Sequence, residues 1–179
     1  RHNREMDIQT NNKVAISKGG TPIMKRAILF TGAIFVVLFS WMPAYSGEFT
    51  PEDAKNLTVK AVDLIEEMGI DKAREILHDK NGGYRQGAKG ELYVFVVDWK
   101  GFWLVYPPRP SGEGKNVLNV KDPDGKYLVK DMIAITQNKD EGWSEYRWLN
   151  PETGKIQHKI SYVKRIPGQE MFAAAGSYK

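Results

Sequence analysis

Gly142–Tyr178 reads GWSEYRWLNPETGKIQHKISYVKRIPGQEMFAAAGSY, and this stretch decides the fold. Three runs rich in aromatic and β-branched residues, Gly142–Leu149, Ile156–Ile166 and Glu170–Tyr178, are separated by Asn150-Pro151-Glu152-Thr153-Gly154 and by Pro167-Gly168. Short Pro/Gly-containing connections between strand-forming runs predict consecutive antiparallel pairing. In an extended strand alternate residues share a face, so Ser144, Tyr146 and Trp148 point one way and Trp143, Glu145 and Arg147 the other.

Upstream the same period recurs. Leu92–Val97 reads as a strand, Asp98-Trp99-Lys100-Gly101 as a turn, and Phe102–Tyr106 as its hairpin partner, ended by Pro107 and Pro108. Asp122-Pro123-Asp124-Gly125 reads as a tight turn, and the acidic ligand that a calcium loop needs at its far end is missing. A short helix is predicted over Lys126 to about Gln137. At the other end, Thr50 is a helix N-cap, Pro51 occupies the first helical position, and Glu52 and Asp53 complete an acidic first turn. Ala54, Leu57, Ala61, Leu64, Ile65 and Met68 follow helical spacing and predict one buried face, with Leu64→Ala costing several kcal/mol; Gly69 stops the helix. A second, shorter helix follows from Ile70 to about Leu77, then a glycine-containing loop over 79–90. One long helix, two strands, a small helix and three strands make an α+β domain, the helix packed on a five-stranded antiparallel sheet.

The chain has 179 residues, a formal charge of +4 and no cysteine. Without cysteine there is no disulfide framework, zinc ribbon, iron–sulfur site, thiol nucleophile or lipoprotein acylation site. Six of the 26 basic residues but only two of the 22 acidic ones lie in positions 1–46, so the remaining chain is neutral and carries no field suited to nucleic acid. That basic leader has its own layout. Lys25 and Arg26 precede an uncharged apolar run from Ala27 to Met42, and Pro43-Ala44-Tyr45-Ser46 offers small residues before a cut at Gly47. Residues 24–46 are therefore read as a signal peptide, with an uncleaved inner-membrane anchor as the alternative. Residues 1–23 are polar and aperiodic and read as the product of a mis-set start upstream of Met24. The domain is expected to occupy 47–179 in the periplasm or outside the cell.

The inventory for catalysis is thin. His78 and His158 stand alone, and no nucleophile elbow, zincin motif, Walker loop or dinucleotide fingerprint occurs, so no catalytic, metal or cofactor residues are expected. What stands out is aromatic and cationic: Trp143, Tyr146, Trp148 and Tyr162 with Arg147 and Lys159 on adjacent strands, and Tyr93 and Tyr106 on the first hairpin. A Tyr/Trp wall beside a sheltered cation suits a small carboxylate or amine. Simple core filling by these aromatics is the alternative.

These residues in this order resemble the single Cache domain of the sCache_2 type, the extracytoplasmic sensor module of bacterial chemoreceptors and histidine kinases. The resemblance rests on Glu91–Asp98 with Gly101, Gly114-Lys115-Asn116, Asp122–Gly125, Gly142-Trp143, Tyr146-Arg147-Trp148, Asn150-Pro151, Thr153-Gly154, Lys159, Ser161–Lys164 and Gly176-Ser177-Tyr178. It implies a PAS-like fold, a ligand pocket on the sheet face opposite the long helix, and small-molecule sensing rather than catalysis. Where that family often has His before the proline ending the second strand, this chain has Tyr106. The expected site is Tyr93, Tyr106, Tyr146, Trp148, Lys159 and Tyr162, with Lys159 facing a ligand carboxylate, or Arg147 or Arg109 if Lys159 points away. The expected function is an exported, stand-alone domain that binds a short organic acid for sensing or delivery to a membrane receptor or kinase encoded elsewhere. The alternative is a structural or interaction module with a degenerate pocket.

Overall fold

The computed structural model describes residues 49–179. The expected signal peptide and the expected extension before it lie outside the described residues. Helix α1 (Pro51–Met68) starts as its sequence dictates: Thr50 Oγ1 accepts from the Asp53 amide at 3.2 Å and the Asp53 carboxylate accepts from the Thr50 amide at 2.8 Å. The Thr50 hydroxyl also donates to the Asp53 carboxylate at 2.7 Å, and this bond foremost, with the one from the Thr50 amide, holds the Asp53 carboxyl below its usual range. Thr50→Ala should cost about 1 kcal/mol, read as a small drop in melting temperature. An unchanged melting curve would show the cap to be frayed in solution.

Helix α2 (Ile70–His78) follows, then strands β1 (Arg85–Gln86), β2 (Leu92–Asp98) and β3 (Trp103–Val105). A 3₁₀ turn (Pro110–Gly112), helix α3 (Leu128–Lys139) and strands β4 (Glu141–Leu149), β5 (Ile156–Arg165) and β6 (Met171–Tyr178) complete the domain. The antiparallel sheet runs β1-β2-β6-β5-β4, and β3 pairs with the far end of β2 on the edge it shares with β1. The five expected strands are therefore present, and the two-residue β1 adds a sixth inside the segment expected to be loop. In the β2–β3 turn, Gly101 has φ +87°, and a Cβ there would come within 2.5 Å of Leu118.

The sheet separates two apolar layers. On one side α1 lies across β6, β5 and β2, packing Ala54, Leu57, Ala61, Val62 and Ile65 against Leu92, Val94, Val96, Ala173 and Ala175. The small side chains of β6 let the helix approach closely. Leu64 and Met68, expected to be buried on this face, are only partly buried at its margin, whereas Ile65, also expected, and Val62, not expected, are fully buried. On the other side Tyr93, Phe95, Val97, Tyr146, Val163 and Phe172 pack with Leu128, Val129, Met132 and Ile133 of α3.

Asp122 fastens the turn before α3 to the sheet. Its carboxylate accepts from the amides of Asp124, Lys126 and Arg147 at 2.9–3.2 Å. Burial opposes ionisation, yet these backbone donors hold the carboxyl below its usual range. The motif is a turn that serves its own backbone.

Candidate functional site

On the α3 side of the sheet the odd-numbered residues of β2 and the even-numbered residues of β4 converge, as the alternation of each strand dictates. Tyr93, Tyr106, Tyr146 and Trp148 line one cavity together with Phe95, Trp103, Val117, Val120, Leu128 and Val129. The rings lock edge to face: Tyr93 on Tyr106 at 6.0 Å and Tyr146 on Trp148 at 6.2 Å. Trp103 stacks flat on Tyr106 at 4.1 Å and 3°. The free room is about 20 Å³, enough for about one water molecule.

Lys159 stands directly across from Tyr146 in the β4–β5 register, so it shares the cavity's face. Its side chain is 1% exposed. Nζ lies 4.0 Å from the Tyr93 ring centroid and 4.5 Å from that of Tyr178, and it donates to Tyr178 Oη at 3.2 Å. No carboxylate pairs with it among the described residues. Burial alone pulls its ammonium down to about 7. Burial also pushes the phenols of Tyr93, Tyr146 and Tyr178 above the ordinary tyrosine range. Tyr146 Oη pairs with Ser161 Oγ at 2.9 Å, and Tyr178 Oη donates to the Leu149 carbonyl at 2.8 Å, so the polar tips around the amine are satisfied. The result is an apolar aromatic chamber with one sheltered amine at its edge and, among the described residues, no carboxylate paired with that amine.

Five of the six expected residues are thus gathered: four in the cavity wall and Lys159 against the Tyr93 ring. Tyr162 is not with them. It sits three positions from Lys159 and so projects from the opposite face, where it meets Trp143 edge to face at 4.8 Å and lies under the Lys55 ammonium at 5.6 Å. Burial and the neighbouring Glu141 carboxylate push its phenol up to about 12. Arg147, named as a substitute cation, turns outward toward Asp124 at 3.4 Å. The sequence reading missed Tyr178, the direct partner of Lys159 across β5 and β6, and Trp103, whose ring covers Tyr106. Finding Tyr178 required the β5–β6 register, which Pro167-Gly168 sets.

Residues 60–179, about two thirds of the chain, match the family described as dCache_2, Cache domain. The chain belongs to the Cache domain family. Its Cache domain is 29% identical over 119 residues to the sensor histidine kinase MctS of Rhizobium johnstonii, a match covering 59% of this chain and 26% of that protein. The chain thus spans about a quarter of that curated relative. Among solved structures, a methyl-accepting chemotaxis protein of Vibrio parahaemolyticus superposes with a TM-score of 0.61 at 22% identity, over 71% of this chain and 86% of that one. A Cache chemosensory domain solved for its recognition of carboxylic acids superposes with a TM-score of 0.60 at 23% identity, over 71% and 91%. The Cache domain is homologous to the sensor domains of histidine kinases and chemoreceptors, and Cache sensor domains are signalling modules. No described helix is long and apolar enough to cross a membrane.

Proposed function

We propose that this Cache domain binds a short organic acid in the aromatic cavity, with Lys159 as the cation that meets the carboxylate. The supporting observation is the buried ammonium: a charge held in an aromatic box without an acid is stabilised by whatever anion enters. The Cache chemosensory domain of the same fold solved with a view to carboxylic acid recognition fits this reading. Because the free room holds about one water molecule, the wall around Trp103 and Tyr106 opens to admit the ligand. We place the domain outside the cytoplasm, with residues 24–46 as the export signal or an anchor, acting on a membrane receptor or kinase. Sequencing the mature N-terminus tests the export step.

Native mass spectrometry of protein purified from its host, followed by calorimetric titration of the acid it carries, tests the binding. The pH dependence has a definite sign. In the empty site Lys159 loses its proton near pH 7, whereas a bound carboxylate favours the ammonium. Affinity should therefore be flat just below pH 7 and fall about tenfold per pH unit above it, as each binding event takes up a proton. Affinity that stays level up to about pH 9 would remove Lys159 from the contact.

The small free volume favours a second reading, an interaction module whose pocket has closed for good. Absence of any retained or titratable acid would support it.

A further inference from the structure

Lys159 belongs to β5, whereas the Tyr93 ring beneath its ammonium belongs to β2, and β6 runs between them. The side chain must therefore cross β6. It does so over Gly176, in the residue pair Ser161–Gly176. A Cβ at Gly176 would lie 2.8 Å from Lys159 Cε and 2.8 Å from the Ile160 carbonyl oxygen, and would overlap Ser161 Oγ, the partner of Tyr146 Oη. Side-chain carbons do not tolerate such approaches. Gly176 has no positive φ, so its backbone does not demand glycine; the space above it does.

We infer that Gly176 is a positioning residue: the notch above its Cα admits the Lys159 stem and thereby sets where the ammonium meets a ligand. The inference rests on the carboxylate-binding reading of the same cavity and names the element that places its cation. Gly176 is not among the residues that line the cavity, so its substitution leaves every cavity-lining side chain in the sequence. An added methyl group forces Lys159 off the Tyr93 ring and out toward solvent.

The test follows the Lys159 Cε resonance in ¹³C-labelled protein through a pH titration, with acetate binding measured by calorimetry on the same samples. In Gly176→Ala the Lys159 titration midpoint should move up toward the ordinary lysine range, and acetate affinity should fall about tenfold or more. An unchanged midpoint would overturn the inference, because a merely structural glycine would leave the amine where it was. Failure of acetate and other short acids to bind the wild type would remove the carboxylate reading, while the Lys159 midpoint would still decide the role of Gly176. If the Ile160 contact keeps Gly176→Ala from folding, the wild type supplies the answer. A nuclear Overhauser contact between Gly176 Hα and the Lys159 Cε protons supports the crossing, and its absence contradicts it.

Discussion

Lys159→Met should make the empty protein more stable at neutral pH, by about 1–4 kcal/mol, while it removes the ligand's cation. The wild-type side chain is fully buried and its ammonium is pulled down to about 7, whereas in the unfolded chain a lysine titrates near 10.4. Between those two values the unfolded state holds more protons than the folded one, so wild-type stability rises with pH across that window. The burial penalty is present in full below about pH 7 and is relieved as the pH climbs toward 10. Methionine keeps the length and volume of the stem and carries no charge. Tyr178 Oη keeps its bond to the Leu149 carbonyl, so no donor is stranded. Thermal unfolding at several pH values checks this: the gain should be largest below pH 7 and shrink above it. A variant less stable than wild type at pH 6 would show the amine to be paired in solution. Because Lys159 is completely buried, Lys159→Ala opens a hole that Lys159→Met fills, so the alanine variant should be the less stable of the two.

Ile65→Ala should cost roughly 2–5 kcal/mol and lower the melting temperature by roughly 10 °C. Ile65 is 0% exposed and sits where α1 crosses the sheet, among side chains of β2 and β6 that cannot collapse into the space left behind. Leu64→Ala, one residue away on the margin of the same helix face, should cost distinctly less. Equal losses at the two positions would mean that α1 is rotated about its axis, which would also change what the sheet presents to the cavity.

The strands and their succession along the chain are legible because alternation and turn residues are local signals, whereas the pairing of β2 with β6 joins distant segments and has no local signal. Leu92–Val97 and the three C-terminal runs carry theirs openly, and the Thr50-Pro51-Asp53 start of α1 is equally plain. Two failures on the site have different causes. Aromatic character groups Tyr162 with Lys159, although an odd spacing along one strand puts the two on opposite faces, a signal the sequence itself carries. Tyr178 and Trp103 were out of reach, since their roles depend on register and on where β3 ends. The same holds for the Lys159–Tyr146 pairing, because a one-residue slip in the Asn150–Gly154 turn would send Lys159 to the α1 side. Two-residue β1 has too few residues to show any period. For α1, helical spacing finds Ala54, Leu57, Ala61 and Ile65 but adds Leu64 and Met68, which lie at the margin, and leaves out Val62, which is buried. A helix stripe is wide enough for its edge to look like its middle.

Calorimetric titration of acetate and propionate into wild type and Lys159→Met at about pH 6 tests the central claim most directly. Binding to the wild type, weakened about tenfold to a hundredfold or more in a variant that melts no lower, is the result expected of a buried cation that meets a carboxylate. Equal affinity in the two proteins would contradict it.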